Sequence, residues 1–455
     1  MAVTRFDALW TGESWLEPAF VETDGSGRIL AVRAESDEVD EVVSGFALPG
    51  FMNAHSHAFQ YAMAGVAEHA VSQGDDFWSW RETMYALALS VSPEDVEAIA
   101  AMLYAEMLRH GYTAVTEFHY LHHDPYGQPY ADQAEMSRRL IQAAQRTGIH
   151  LTITPVFYRT GDFGKAALPE QRRFLSKSVD AYLDLVASVE QAVRGLDRCR
   201  VGAGMHSLRA GDPEEVRAVF ANAPVDAPLH IHIAEQQKEV MRCQEHLGQR
   251  PLEWLLDHNA VDARYHLVHA THMTDEETRG VAASGATVVI CPSTEGNLGD
   301  GFFPLQTYRR CGGSWSIGTD SHVGLSPMEE LRWLDYGQRL GMEKRNILCA
   351  RAGDDSGVLA YTESLAGGRR SMGLTGDTGL EIGKPLDVVV FDADDPILAT
   401  TSPERRLATI IYSRGESAIR SVYVQGRKMV ERGVHVRSAE IREQFVKRVR
   451  QLGLR

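Results

Sequence analysis

The middle of this chain alternates short apolar runs with longer amphipathic stretches, and this pattern constrains the fold more than any other feature. The apolar runs are 46–55, 113–120, 150–157, 200–207, 228–235, 265–271, 287–294 and 314–322. Strands buried on both faces are continuous apolar runs, and strands that alternate with helices form parallel sheets. Eight alternations predict an α/β fold, a (β/α)8 TIM barrel. The alternative is an open doubly wound sheet, which usually has a glycine-rich turn after its first strand. Here HSH stands at that place.

Both chain ends have a different pattern, with short strand-like runs and turn signals such as DGSG at 24–27. The 455 residues also exceed the roughly 250 of a plain barrel, so a second, smaller domain is expected. We predict that residues 1–48 form the first part of a small β-sandwich and that 49–382 form the barrel. Residues 383–455 then form the second part of the sandwich and a C-terminal helix.

Composition limits the partners and the compartment. The formal net charge of −16 argues against a broad nucleic-acid surface, because phosphate contacts need clustered Lys and Arg. A small anionic substrate remains compatible with this charge if a few Arg line a pocket. The five Cys are scattered and include no CxxC, which favours a reducing compartment over disulfides. We find no signal-peptide pattern and no apolar run of the roughly 18 residues that span a bilayer. These observations predict a cytoplasmic protein without nucleic-acid or membrane partners.

Polar residues gather at the C-terminal ends of the predicted strands. In a parallel barrel these ends meet on one face, where barrel enzymes place their active sites. The residues at these ends are His55, His57, Glu117, His119, Tyr120, His206, Arg209, His232, Glu235, His269, Asp320 and His322. Their convergence predicts one polar site, and loops 65–80 and 158–175 are long enough to cover it.

Two His-x-His pairs carry a metal hypothesis. A spacing of two keeps both side chains on one face of an extended chain, so His55 and His57 point the same way. In HIHIAE, His232 lies nearer the strand end and is the expected ligand. His230 lies about 6–7 Å deeper and is expected to be a packed interior histidine. Asp320 at the end of the eighth strand is either a fourth ligand or only a helix N-cap.

Three neutral imidazoles and one carboxylate suit a single divalent metal, Zn²⁺ before Fe²⁺ or Mn²⁺. Such a metal lowers the pKa of water toward about 7. We expect Asp320 to accept the proton of that water, Glu235 to protonate a leaving nitrogen, and His269 to orient the nucleophile or polarise the electrophile. Without a metal nearby, Glu235 would be a solvated loop charge. His322 is a weaker candidate for substrate contact.

Taken together, these motifs resemble the amidohydrolase superfamily. The motifs are HSH at 55–57, HIHIAE at 230–235, VHATH at 268–272 and GTDSH at 318–322. The run CPSTEGNLGDGFFP resembles the loop typical of the deaminase branch of that superfamily, and GKPLDVVVFD resembles the closing segment of that branch. The resemblance covers essentially the whole chain. It implies a metal-dependent hydrolytic deaminase, with a homodimer as the expected assembly.

A narrower resemblance, to the iminohydrolases of this branch, rests on longer segments such as HSHAFQYAMAG, DDFWSWRETMY and HIHIAEQQKEV. It implies a linear amidine substrate, a formimino compound with two carboxylates that belongs to histidine degradation. By this resemblance the substrate contacts fall on Gln60, Arg81, Tyr120, His206 and Arg209. Arg binds carboxylates bidentately, which fits this substrate class. For Arg81, a surface ion pair with Asp76 or Glu82 is the alternative.

Two other functions stay open at this point. A deaminase of the same fold could act on a purine, pterin or pyrimidine ring, for which Phe77, Trp78, Trp80 and Phe118 would supply stacking surfaces. The chain could also be a non-catalytic relative kept for binding. Such relatives typically lose metal ligands or the acid/base Glu, whereas this chain has all of them.

Overall fold

The computed structural model describes residues 1–66 and 77–453. Its strands, in chain order, are β1 (Ala2–Trp10), β2 (Trp15–Leu16), β3 (Ala19–Thr23), β4 (Ile29–Arg33), β5 (Glu41–Pro49), β6 (Phe51–Ser56), β7 (Tyr112–His119), β8 (His150–Phe157), β9 (Thr160–Asp162), β10 (Lys165–Ala166), β11 (Cys199–Val201), β12 (Ala203–Ser207), β13 (Leu229–Ile233), β14 (Tyr265–His269), β15 (Thr287–Ile290), β16 (Ser314–Ile317), β17 (Val388–Phe391), β18 (Ile419–Val424), β19 (Arg427–Glu431) and β20 (Val434–His435). Its α-helices are α1 (Phe77–Ser90), α2 (Pro93–Arg109), α3 (Glu135–Thr147), α4 (Val179–Val193), α5 (Pro213–Asn222), α6 (Gln237–Leu247), α7 (Pro251–His258), α8 (Asp275–Ser284), α9 (Pro292–Leu298), α10 (Leu305–Arg310), α11 (Pro327–Met342), α12 (Ser356–Ser371), α13 (Arg406–Thr409) and α14 (Ser438–Leu452).

One parallel sheet forms the predicted barrel. Its strands lie in the order β6, β7, β8, β12, β13, β14, β15 and β16, with the short β11 also paired to β8. The first and last strands meet through a parallel bridge between Ser56 and Asp320, and the His57 N–H donates to the Asp320 carbonyl at 3.2 Å. The sheet is therefore a nearly closed eight-stranded barrel, and the predicted fold class is confirmed.

The first predicted barrel strand, 46–55, is in fact the junction of two strands. β5 belongs to a different sheet and β6 to the barrel, with Gly50 between them. A Cβ at Gly50 would lie 2.1 Å from the Oγ1 of Thr113, so no other residue fits where the chain passes from one sheet to the other. The apolar run continues through this junction, because both strands are buried.

Both chain ends build one mixed sheet, in the order β20, β19, β18, β17, β5, β1, β3 and β4, with β2 beside β1. β5 joins the two ends, because it runs parallel to β1 and antiparallel to β17. An apolar cluster that includes Phe6, Val21, Val43, Val388 and Tyr423 lies against this sheet. A joint β domain of both ends is therefore present, while the boundaries at 48 and 382 remain a prediction.

Local sequence explains α2, the long helix that supports the first barrel strands. Its N-cap Ser92 accepts from the Asp95 N–H, and the Asp95 carboxylate accepts from the Ser92 N–H. This capping box satisfies backbone donors that a helix N-terminus leaves open. α2 packs against α3 and α14 and carries Tyr104 toward the barrel.

Among the described residues, no helix is long and apolar enough to cross a membrane. The five cysteines are free thiols.

Candidate active site

Four buried side chains bring their ligand atoms together at the C-terminal mouth of the barrel. The Nε2 atoms of His55 and His57 are 3.1 Å apart, and the Nε2 of His232 lies 3.0 Å from that of His55. Asp320 Oδ1 lies 3.2 Å from the Nε2 of His55 and 3.1 Å from the Nε2 of His57. We call this group the metal end of the site. It unites the four residues that the sequence predicts as ligands.

The backbone is strained at the metal end and beside it. Asp320 has φ 45° and His269 has φ 70°, both in the left-handed region. Residues other than glycine adopt this region at a cost of about 1–3 kcal/mol each. Gly318 allows the last strand to approach the first, because a Cβ there would lie 2.7 Å from the Cβ of His55. The fold therefore accepts local strain to bring ligands from opposite ends of the sheet together.

The chemistry of the donor set fits a divalent metal. The Nδ1–H of His57 donates to the Phe118 carbonyl at 2.9 Å, and a carbonyl only accepts, so Nε2 carries a lone pair toward the cluster. Burial lowers the pKa of His55 to about 3 and that of His232 well below its usual range. Burial raises the pKa of Asp320, but its close contacts with His55 and His57 outweigh this and hold that pKa well below its usual range. Neutral imidazoles around a carboxylate are what Zn²⁺ and similar ions bind.

A second group of buried carboxylates surrounds His269. The Nε2 of His269 lies 3.8 Å from Glu235 Oε1, and its Nδ1 lies 3.2 Å from Glu295 Oε1. Burial raises the pKa of Glu235 to about 7. Burial lowers the pKa of His269, but the charges of Glu235 and Glu295 reverse this and raise it to about 10. Burial, with the nearby charge of Glu235, raises the pKa of Asp300 to about 9. Protons can thus be held on several groups next to the metal end at neutral pH.

Glu117 lies behind the metal end and holds the His-Ser-His segment in place. Its carboxylate accepts from the Ser56 hydroxyl at 2.8 Å, from the Ala58 N–H at 2.6 Å and from the Tyr104 hydroxyl at 3.1 Å. Burial raises the pKa of Glu117 to about 7, although these hydrogen bonds lower it. The sequence marks Glu117 as a strand-end acid, but does not show that its partners Ser56 and Ala58 flank the ligand His57.

One cavity opens beside the metal end, and every predicted substrate contact lines it. These contacts are Gln60, Arg81, Tyr120, His206 and Arg209. The Gln60 Nε2–H donates to the Tyr120 hydroxyl at 2.9 Å, and its buried Oε1 accepts no hydrogen bond from a described residue. Arg209 is buried, and the guanidinium carbon of Arg81 lies 5.5 Å from the centre of the Tyr85 ring. The alternative partner Asp76 for Arg81 falls outside the described residues.

The cavity also has walls that the sequence did not single out: Met84, Tyr85, Tyr158, Phe174 and Leu298. Trp80, one of the predicted stacking residues, lines it as well. Tyr85 lies on α1, and Tyr158 and Phe174 belong to loop 158–175, which covers the site as predicted. The other predicted cover, loop 65–80, falls outside the described residues over 67–76. We call Arg81, Tyr85, Tyr158 and Arg209 the arginine end of the cavity. Tyr85 and Phe174 do not stand at strand ends, so the strand-end pattern could not identify them.

Several candidates lie elsewhere. His230 Nε2–H donates to the Ser371 carbonyl at 2.9 Å, so its predicted interior role is confirmed. His322 faces Thr319, with 3.0 Å between Nδ1 and Oγ1. The Phe118 ring packs 4.5 Å from the ring centre of His232 and supports the ligands from behind. The side chains of Phe77 and Trp78 fall outside the described residues.

Comparison with known proteins identifies the family of hydrolases to which the chain belongs. A model of the amidohydrolase family matches residues 46–429. The chain belongs to the amidohydrolase family, as its motifs predicted. It is 45% identical over 440 residues to a formimidoylglutamate deiminase of Pseudomonas aeruginosa, covering 95% of this chain and 96% of that protein.

Solved structures agree on the fold. The crystal structure of an amidohydrolase from Brucella melitensis superposes with a TM-score of 0.94 at 40% identity, covering 99% of this chain and 100% of that one. An adenosine deaminase from Xanthomonas campestris with bound zinc superposes with a TM-score of 0.81 at 22% identity, covering 99% and 98%.

Proposed function

We propose that this chain is a zinc-dependent formimidoylglutamate deiminase. It hydrolyses N-formimino-L-glutamate to N-formyl-L-glutamate and ammonia, a step of histidine degradation, and works as a cytoplasmic homodimer. The observation that carries the proposal is one cavity that joins a His-His-His-Asp cluster to two arginines. The 45% identity to a formimidoylglutamate deiminase over nearly the full length of both proteins supports the same substrate.

In this proposal His55, His57, His232 and Asp320 hold one zinc ion. When bound, the ion supplies a Lewis acid that lowers the pKa of water toward about 7. The sequence of β12 supports a single ion, because AGMHS offers no Lys or acid for a second. His57 is oriented by the Phe118 carbonyl, and Glu117 fixes the segment at the end of β6 that carries His55 and His57.

The acid and base roles fall on three residues around the reacting carbon. Asp320 is a carboxylate that accepts the proton of the attacking water. His269, held by Glu295 at Nδ1, orients that water or polarises the formimino carbon through Nε2. Glu235 has a pKa of about 7, so its carboxyl group can carry a proton at neutral pH. It delivers that proton to the nitrogen that leaves as ammonia when the C–N bond breaks.

The rest of the cavity suits the other half of the substrate. Gln60 Oε1 is buried and has no donor in the part of the chain that the structure describes, and a formimino N–H would supply one. Arg81 and Arg209 offer planar guanidinium groups for carboxylates, and Tyr120 and His206 lie between the two ends.

The second candidate is a deaminase of a purine, pterin or pyrimidine ring. Trp80 and Phe174 line the cavity and could stack on a ring. The two arginines that line the same cavity argue against it, because guanidinium groups suit the carboxylates of an anionic substrate better than a neutral ring.

The test is ammonia release by zinc-loaded protein from N-formimino-L-glutamate, with guanine and cytosine alongside. We expect release from the formimino compound alone. Release from a ring amine and none from the formimino compound would keep the barrel and its metal end and reject the substrate.

A further inference from the structure

Gln171 ties together two tyrosines of the arginine end. It lies in loop 158–175, is fully buried, and its amide nitrogen lies 2.9 Å from the Tyr85 hydroxyl and 2.6 Å from the Tyr158 hydroxyl. Its Oε1 accepts from the Leu168 N–H at 2.7 Å. A backbone N–H only donates, so the amide cannot be flipped, and the NH₂ group must face the two phenols.

This arrangement fixes the direction of the phenol hydrogens. The Gln171 NH₂ group has two hydrogens, and it donates one to each phenol oxygen. Each phenol must therefore direct its own hydrogen away from Gln171. The two phenols lie near each other, so at most one of their hydrogens can be shared between them. At least one phenol hydrogen is left, and both tyrosines line the cavity.

The two phenol hydroxyls lie near the guanidinium groups of the arginine end and away from the metal end. Burial and the nearby Tyr85 raise the pKa of Tyr158, and the charges of Arg209 and Arg81 lower it. All four side chains therefore lie around one part of the cavity. The ring of His206 separates this part from the ligands, at 4.6 Å from the Tyr158 ring and 5.0 Å from that of His232. Two hydroxyl donors beside two guanidinium groups form an environment for an anion.

We propose that Tyr85 and Tyr158 are specificity residues that donate hydrogen bonds to a substrate carboxylate bound by Arg81 and Arg209. Gln171 orients the hydroxyl hydrogens of both tyrosines for this role. Gln171 is a positioning residue, which acts through the two phenols. This inference rests on the proposed function, because it assigns residues to the carboxylates of that substrate.

The test uses the zinc-loaded, full-length protein and the variants Tyr85→Phe, Tyr158→Phe and Gln171→Glu. Each Tyr→Phe change removes one donor, and we expect about a tenfold rise in KM for N-formimino-L-glutamate with kcat within about twofold. Gln171→Glu replaces two donors by acceptors. The phenol hydrogens then turn toward the new carboxylate, and we expect the largest rise in KM from this variant. N-Methylformamidine, which has no carboxylate, should be hydrolysed equally by all.

Tyr182→Phe is the matched control. Its hydroxyl is also buried and donates to the Pro155 carbonyl at 3.0 Å, but it belongs to α4, away from the cavity lining. It should lower the melting temperature without raising KM. Unchanged KM in all three test variants would overturn the inference and leave the proposed function intact.

Titration of glutarate, a dicarboxylate that cannot react, keeps the two proposals separate. If wild-type protein releases no ammonia from N-formimino-L-glutamate, the proposed function fails and glutarate binding decides the inference. Weaker binding of glutarate by the three variants than by wild type and Tyr182→Phe supports it. Equal binding overturns it.

Discussion

The metal end and the arginine end of the cavity are built in different ways. The metal end consists of residues at the ends of β6, β13 and β16, where hydrogen bonds of the sheet fix the backbone on both sides. The arginine end is assembled from α1, loop 158–175 and the turn after β12. Gln171 and Arg173 join the loop to α1, and the Thr160 hydroxyl joins it to the turn by donating to the Arg209 carbonyl. Its side chains are placed by other side chains.

This difference separates the residues that carry out the reaction from the residues that recognise the substrate. Groups that act on the reacting atoms need fixed geometry, and strand ends supply it. Groups that recognise the rest of the substrate can sit on loops, which change without disturbing the barrel. Substitutions at the metal end should therefore lower kcat, and substitutions at the arginine end should raise KM.

The largest effect is expected from Glu235→Gln. The amide cannot deliver a proton to the leaving nitrogen, so kcat should fall about 10³-fold while bound zinc stays near one ion per chain. Steady-state kinetics and metal analysis measure the two. The buried neighbour Glu239, which accepts from the Glu235 N–H at 3.2 Å, gives the control Glu239→Gln with a much smaller loss. Near-normal turnover of Glu235→Gln would remove its acid role.

At the opposite end, Arg209→Ala should raise KM for N-formimino-L-glutamate about 10- to 100-fold and leave kcat nearly unchanged, because it removes a charged donor to a carboxylate. Arg159→Ala is the control, since Arg159 pairs with Glu215 at 3.0 Å outside the cavity. A fall in kcat with constant KM would mean that the two ends are not separate.

Glu117→Gln tests whether the metal end depends on support from behind. The amide NH₂ would face one of the three donors that the carboxylate now accepts from, so the His-Ser-His segment should loosen. We expect zinc affinity to fall about tenfold, measured against a competing chelator. Tyr104→Phe removes one of these donors and should have a smaller effect. Equal affinity in wild type and Glu117→Gln would contradict this role.

The smallest effect concerns a carboxylate that supports α9, the helix whose Leu298 lines the cavity. Glu330 accepts from the N–H and the hydroxyl of Ser293, and burial raises its pKa to about 8. Between the unfolded value of about 4.5 and 8, the folded protein keeps a proton that the unfolded chain loses, so this group lowers stability as pH rises through that window.

Glu330→Gln removes this titration while keeping an acceptor for the Ser293 N–H. The melting temperature should then fall less between pH 5 and pH 8 than in wild type, by on the order of a few degrees. Parallel curves for the two proteins would rule out Glu330 as a source of the slope.

Much of the metal end follows from local sequence. Strand parity puts His55 and His57 on one face, and position along the strand separates the ligand His232 from the interior His230. Buried strands followed by helices similarly predict the barrel, because burial and periodicity are properties of single segments.

Tertiary structure alone decided the rest. The chain changes sheets at Gly50 inside one unbroken apolar run, and β1 pairs in parallel with the distant β5 as well as with its neighbours β2 and β3. Tyr85 and Gln171 are 86 residues apart and meet only because loop 158–175 folds over α1. Such contacts depend on how separate segments pack. The pattern of a single segment gives no signal for such contacts. The metal ligands, in contrast, are marked by the pattern of the strand that presents each of them.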